Sequence, residues 1–418
     1  MKQDLTSDSI DQMLISSGLL PEQKVRELRQ HFRVQTSTPD GLLSLLQSRQ
    51  MLTDWQINKL KQGRHRGFFL GPYKLLSHLA RGGMSTLYVA EHPNSGGKCA
   101  LKVLPPSKAM QASYLPRFLR EAELATRLRH PNIMQVHDVM TCSKSGQQIY
   151  FMVMELLEGA DLFNTVANHG PLTVYQAAEV IRQTAIGLQH AHDAGLVHRD
   201  VKPGNIFISH DGTVKIVDLG LAAIQEGHSE SLTRQHDERV LGTADYLAPE
   251  QAIDSHRADW RADIYALGCA FYYALAGRPP FTEGTLAQRL VAHQTLDPRD
   301  ISEHRSDIPD AIRSLLKSMF VKRRVNRIQT CQEVADILGR VLETDPERLR
   351  QPPQMIVYDP LSSRPRKLKR VRKADKSETP TDSLRASDAT TTTTPGREAD
   401  NMFDGIDQAE SLINEPDA

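Results

Sequence analysis

The sequence is poor in cysteine, in tryptophan and in charge of any one sign. Its 418 residues include 4 Cys and 2 Trp, and 51 Lys and Arg balance 51 Asp and Glu. A chain without net charge is not a dedicated binder of nucleic acid or membrane surface, so its partners must be sought locally. Cys99, Cys142, Cys269 and Cys331 lie far apart and share no C-x-x-C spacing. That excludes a disulfide framework and a cysteine zinc site, and it fits a reducing compartment. No apolar run reaches the ~18 residues a membrane span needs. The strongest uncharged apolar candidate, residues 264–276, suits a buried helix instead. The opening MKQDLTSDSIDQ lacks an apolar signal core, so the expected location is cytoplasmic. What is present, 39% hydrophobic and 24% charged residues, describes a soluble chain with a substantial core, long enough for roughly two to three domains.

Three textures divide it. Residues 1–66 carry helical periodicity in short segments broken at residues 18–21, at Pro39-Asp40-Gly41 and at Thr53. Thr53 followed by Gln56 makes a capping box, with Leu52 and Ile57 placed as a hydrophobic staple. This segment reads as a small helical module. From Tyr73 the runs YKLLSHLA, TLYVAEH and KCALKVL alternate and are rich in β-formers, which predicts an antiparallel sheet. Longer helical patterns then continue to about Leu342; Thr173 with Gln176 opens one of them and Gly195 stops it. Beyond Pro352 the composition turns rich in Pro, Thr and charge, with five consecutive threonines at 390–394, and it predicts disorder for residues 352–418. Seven bases fill residues 364–373, while 374–418 hold eleven acids against three bases. The basic run reads as a solvated linker that the acidic tail can screen, and no nucleic-acid partner is expected.

Two strings carry the chemistry. HRDVKPGN, beginning at His198, places a carboxylate, a cation and an amide on one short loop, and VDLG, beginning at Val217, puts a second carboxylate at a strand end. Together they can hold a base and a metal–phosphate complex. At this point the sequence resembles the eukaryotic-like protein kinases, specifically their bacterial serine/threonine branch, over residues 73–342. The resemblance implies an α+β, two-lobed kinase fold with a small antiparallel-sheet lobe and a mainly helical lobe, preceded here by the helical module and followed by the tail.

Residue by residue, the resemblance implies that Asp200 accepts and orients the substrate hydroxyl and that Lys202 supports the γ-phosphate. Asn205 and Asp218 match the family's side-chain ligands for Mg2+. Lys102 matches the lysine that holds the α- and β-phosphates of ATP, and Glu121 matches its ion-pair partner. The phosphate-covering loop is read over Leu79, Ala80, Arg81, Gly82, Gly83, Met84, Ser85, Thr86 and Leu87. It departs from the family's G-x-G-x-x-G-x-V at Ala80, Ser85 and Leu87, and Leu219 stands where the family usually has Phe. In IYFMVMELLEG, Met154 is the expected gatekeeper, Glu155 and Leu157 supply the hinge backbone to adenine, and Asp161 is a candidate ribose contact. Thr243 belongs to GTADYLAPE, which resembles the peptide-binding platform of protein kinases. Glu250 is expected to pair with Arg327, and Asp263 to brace the catalytic loop.

His190 and His192, two apart on a helix, make a poor metal pair and read as packing residues. Arg199 is read as a reader of phosphate on the loop that holds the hydroxyls of Ser229, Ser231 and Thr233, with Thr233 or Ser231 the expected site, and Ser383, Ser387 and the threonine tract as exposed phosphorylation sites. The implied activity is ATP- and Mg2+-dependent transfer of phosphate to Ser or Thr of proteins, autophosphorylation included. The competing expectation is a catalytically silent scaffold acting through residues 1–66, as a partner-binding module, and the tail. A small-molecule phosphotransferase would have no use for GTADYLAPE.

Overall fold

The computed structural model describes residues 6–344, apart from residues 34, 83–84, 112–113, 145, 219–243 and 255–257. Gly83, Met84, Leu219, Ser229, Ser231, Thr233, Thr243 and the whole tail from residue 352 therefore lie outside the described residues. The chain divides into two compact units, the first holding Met1–Phe68 and the second beginning at Phe69.

The described residues of the first unit form four short helices, α1 Ser7–Ser16, α2 Glu22–His31, α3 Pro39–Ser48 and α4 Asp54–Lys61. Each begins where its sequence says it can. Thr6, Thr38 and Thr53 accept the backbone N–H three residues on, and at Thr53 the Gln56 side chain completes a capping box. Helices this short are marginal alone, so the core must hold them. Ile10, Leu14, Leu42, Leu46 and Leu60 are fully buried, each contributing about 1.5–3 kcal/mol of transfer free energy. Arg29 ties α2 to α1: its Nη2 and Nε donate to Asp11 at 2.7 and 3.0 Å, and Nη2 also reaches the Ser7 carbonyl.

In the second unit six strands form an antiparallel sheet in the order β1, β2, β3, β4, β6, β5. They are β1 Phe69–Leu70, β2 Tyr73–Arg81, β3 Thr86–Glu91, β4 Lys98–Leu104, β5 Val136–Lys144 and β6 Gln147–Glu155. Between β4 and β5 come a single turn, α5 Pro106–Ala109, and α6 Tyr114–Arg127, which buries Phe118, Ala122 and Ala125. The second part is helical: α7 Leu162–His169, α8 Val174–Asp193, α9 Pro249–Ile253, α10 Arg261–Ala276, α11 Leu286–Thr295, α12 Asp310–Met319 and α13 Cys331–Glu343. A three-stranded sheet, β7 Gly159–Asp161, β8 Ile206–Ser209 and β9 Val214–Ile216, lies among them in chain order.

The helix α10 contains the long uncharged stretch, and from Ala262 to Leu275 all its residues are buried. An all-round apolar helix can only be the centre of a core, and α8, α12 and α9 pack on it. Helix α8 opens with the Thr173–Gln176 capping box and stops before Gly195, whose φ is +77°. Gly187 lets α8 come close to the loop before β5: a Cβ there would stand 2.8 Å from the Asn132 carbonyl oxygen and 2.9 Å from Ile216 Cδ1. The Asn132 side chain seals that contact, donating to Gln183 Oε1 at 3.0 Å and to the Val214 carbonyl at 2.8 Å.

Candidate active site

The phosphate-covering loop joins β2 to β3. Its described residues hold an antiparallel register, Ala80 opposite Leu87 and Arg81 opposite Thr86, and the Gly82 N–H donates to the Ser85 carbonyl at 2.7 Å. Leu79 and Leu87 are half-buried and Arg81 is exposed. On the next strand Lys102 lies opposite Leu87 on one side and Met152 on the other.

The Lys102 Nζ donates to Glu121 Oε1 on α6 at 2.6 Å and to Asp218 Oδ1 just past β9 at 2.8 Å. One cation thus joins three elements separated by 116 positions of sequence. Burial alone would lower the Lys102 pKa, but Asp218 and Glu121 outweigh it and hold the ammonium charged. The Lys102 cation in turn pulls the Asp218 carboxyl below the usual carboxylate range. Glu121 moves upward, because burial exceeds the pull of Lys102. Both carboxylates bear on one ammonium, and it is Asp218 that stays firmly ionised.

The catalytic-loop residues are fixed from beneath by α10. Asp263, fully buried, accepts the backbone N–H of His198 at 2.8 Å and of Arg199 at 2.7 Å. His192 on α8 donates its Nε2 proton to the same carboxylate at 2.8 Å. These bonds hold Arg199 at φ +64°, and Asp218 sits at φ +51°. Conformations this sparsely populated persist only where neighbours over-determine them, and such residues cluster at functional sites. The loop then turns through a 3-10 segment, Pro203–Asn205. Lys202 Nζ donates to both oxygens of Asp200, at 3.0 and 2.7 Å, and Asn205 Nδ2 donates to the Asp200 carbonyl and side chain. The Val217 N–H donates to the Asn205 carbonyl at 3.0 Å, which brings Asn205 alongside Asp218.

The hinge residues lie at the end of β6. Met154 is buried, while Glu155 and Leu157 are half-buried. The Glu155 carboxylate is engaged within the protein, accepting from Lys215 Nζ at 2.9 Å and from the Gln135 N–H at 2.6 Å. Asp161 caps α7, its two oxygens accepting from the Asn164 N–H at 2.7 Å and Asn164 Nδ2 at 2.6 Å. The cap was readable in the sequence, where Asp precedes a helical run with Asn three residues on.

Expected long-range pairs are present as well. Arg327 Nη1 and Nη2 donate to Glu250 Oε1 and Oε2 at 2.7 and 3.0 Å. Sequence reading did not anticipate the bond of His192 to Asp263, the clamp of Lys215 on Glu155, or Gln251 Nε2 donating to the Arg199 carbonyl at 2.9 Å. His190 does point elsewhere than His192: it stacks on His130 with ring centroids 4.9 Å apart.

A cation here joins two carboxylates, and a loop carboxylate carries its own lysine. The family model for the protein kinase domain matches residues 73–337. The chain belongs to the protein kinase family. It is similar to the serine/threonine-protein kinase PknB of Mycobacterium tuberculosis, 35% identical over 274 residues, covering 66% of this chain and 43% of that protein. A probable serine/threonine-protein kinase of Corynebacterium efficiens, CE0033, is 34% identical over 305 residues, covering 70% of this chain and 46% of that one. Among solved structures, the kinase domain of Mycobacterium tuberculosis PknI matches with a TM-score of 0.51 at 28% identity, over 66% of this chain and 98% of that domain. The chain thus spans under half the length of these two curated relatives, and the two-lobed kinase fold is common to the solved domain and to residues 73–337.

Proposed function

We propose that this chain is a serine/threonine protein kinase that transfers the γ-phosphate of ATP, with Mg2+, to hydroxyls of protein substrates. The observation that carries this reading is the Lys102 bridge to Glu121 and Asp218, formed while Asp200, Lys202 and Asn205 stand together on the loop beside it. A scaffold has no physical need for that bridge. Lys102 is suited to neutralise the α- and β-phosphates, with Glu121 fixing its ammonium in place. Asp200 is suited to accept the hydroxyl proton and to hold the nucleophile in line, and Lys202, already beside Asp200, to meet the transferring phosphate.

The donor set also fits a hard cation. Asp218 offers an ionised carboxylate, and because Asn205 spends its Nδ2 on Asp200, its amide oxygen is the end left to act as a ligand. When bound, Mg2+ would neutralise charge on the phosphate oxygens. Backbone groups of Glu155 and Leu157 are the proposed adenine contacts. Asp161 would reach a ribose only by sharing oxygens that already cap α7. The preference for Ser and Thr over Tyr rests on Lys202 and on the likeness to the PknB relatives.

The test is transfer of labelled phosphate from ATP to a generic protein substrate and to the chain itself. Wild-type transfer with loss in Asp200→Asn supports the reading, and an Asp200→Asn variant as active as wild type overturns it.

A further inference from the structure

One buried charge pair in the second unit has no part in that chemistry. Asp245 lies in the segment leading into α9, and Arg289 lies on α11. Their side chains are 14% and 13% exposed, and Arg289 Nη1 meets Asp245 Oδ1. The Arg289 Nε is buried too and has no hydrogen-bond partner among the described residues. A pair taken out of water with a donor left unsatisfied offers little net stability, because desolvation offsets the attraction. Its contribution is therefore geometric.

The geometry concerns the platform segment. From Tyr246 onward that segment is fastened to the lobe's interior: the Tyr246 ring meets Tyr273 of α10 edge-on at 6.4 Å, Glu250 is held by Arg327, and Gln251 holds the Arg199 carbonyl beside Asp200. Asp245, one residue earlier, is fastened outward instead, to α11. That helix is itself lightly anchored, with His293 its one buried residue, and it exposes 55% of Val291. The Asp245–Arg289 pair thus ties the position of α11 to backbone that runs directly to the catalytic loop.

We propose that Asp245 and Arg289 are positioning residues for the protein substrate: the pair sets where the platform preceding α9 stands relative to Asp200, without touching the nucleotide. This rests on the kinase reading above. Loss of either partner leaves a buried charge uncompensated and lets the platform move, so the protein is presented off line while Lys102, Glu121 and Asp218 keep their arrangement. A displacement of 1 Å can cost ~100-fold in rate, and a platform shift smaller than that is expected to weaken use of the protein by about tenfold.

The full chain is compared with Arg289→Met, Asp245→Asn, the double variant and the conservative Arg289→Lys, reading the KM for protein substrate, the KM for ATP, kcat and the melting temperature. The proposal expects the KM for protein to rise about tenfold in each single variant, with the KM for ATP within about twofold of wild type. The double variant should be no worse than either single one, and Arg289→Lys should recover part of the loss. Unchanged KM for protein overturns the proposal, and so does a parallel fall in kcat, ATP affinity and melting temperature with no recovery in Arg289→Lys, which is the signature of a merely structural pair. A wild-type chain that binds ATP yet transfers no phosphate overturns the kinase reading itself, before any variant is compared.

Discussion

Two cation–carboxylate assemblies in the second unit use the same chemistry to opposite ends. Lys102 with Glu121 and Asp218 is open to solvent, and 58% of the Asp218 side chain is exposed. Arg327 with Glu250 is sealed, its guanidinium side chain fully buried. The sealed pair is complete: Arg327 Nε donates to the Val321 carbonyl, Nη1 to Glu250 and the Arg261 carbonyl, and Nη2 to Glu250 and the Lys322 carbonyl, so all five N–H groups are used. In the open one, among the described residues, two carboxylates account for two of the three ammonium donors. A charge that must not move is buried with every hydrogen bond made. The charge proposed to meet phosphate has, among the described residues, one ammonium donor without a carboxylate and a solvent-exposed partner in Asp218.

The contrast breaks first at the open assembly. Asp200→Asn, Asp218→Asn and Lys102→Met are each expected to lower kcat by about a thousandfold or more, since each removes a group aimed at charge that develops in transfer. The Asp200 and Asp218 side chains are 30% and 58% exposed, so the melting temperature of those two variants should stay within about 2 °C of wild type. Kinetics and thermal melts on the same preparations check this; large destabilisation with residual turnover would erase the distinction between the two assemblies. At the sealed assembly the expectation inverts. Arg327→Met should cost about 3–5 kcal/mol of folding stability by leaving Glu250 buried and unpaired. Glu250→Gln, which keeps the shape and removes the charge, should differ measurably from Arg327→Met in denaturant unfolding.

The sequence made one of these assemblies more legible than the other parts of the site. Lys102, Glu121, Asp200, Asn205 and Asp218 could be placed because each sits in a short string whose order and spacing are diagnostic, although 116 residues separate the first from the last. The capping boxes at Thr53 and Thr173 could be placed because their geometry is local, complete within four residues. What stayed hidden are pairings that only tertiary packing decides. Nothing near His192 announces that Asp263, 71 positions on, will accept its hydrogen bond, and nothing near Asn132 announces the Val214 carbonyl. Glu155 is expected at the hinge from sequence, but nothing there shows that its carboxylate turns to Lys215, which follows because β9 passes beside the loop before β5. The Asp245–Arg289 pair belongs to the same hidden class.

A smaller effect separates a buried neutral group from these buried charges. His293 on α11 hydrogen-bonds the Tyr265 hydroxyl through Nδ1 at 3.0 Å, and burial, helped by the Lys322 cation, lowers its pKa from 6.5 to about 3. The unfolded chain therefore binds a proton at this residue below about pH 6.5 that the folded chain refuses until about pH 3. Stability attributable to keeping His293 neutral is whole above that window and is lost as pH falls through it. In His293→Gln the slope of unfolding free energy against pH near pH 5 should be shallower than in wild type by about 1.4 kcal/mol per pH unit. Denaturant titrations at pH 5, 6 and 7.5 check it, and parallel slopes would place the proton elsewhere.

The smallest expected effect lies at the start of α8, where no charge is involved. Thr173 accepts the Gln176 N–H through its hydroxyl at 3.2 Å, and Gln176 Oε1 accepts the Thr173 N–H at 3.1 Å. Removing the hydroxyl in Thr173→Ala leaves one of the helix's first N–H groups to water, and the end is exposed enough for water to reach it, so the cost should be about 1 kcal/mol. Helix α8 carries His192 near its far end and packs on α10, whose Asp263 orders the catalytic loop. Those contacts lie some twenty residues from the cap and are held by the core, so the loss should appear as a lower unfolding midpoint with unchanged slope and unchanged kcat. A fall in kcat in Thr173→Ala, at temperatures where the chain stays folded, would mean that α8 transmits strain along its length to the loop, and the separation drawn between scaffold and site would have to be given up for this helix.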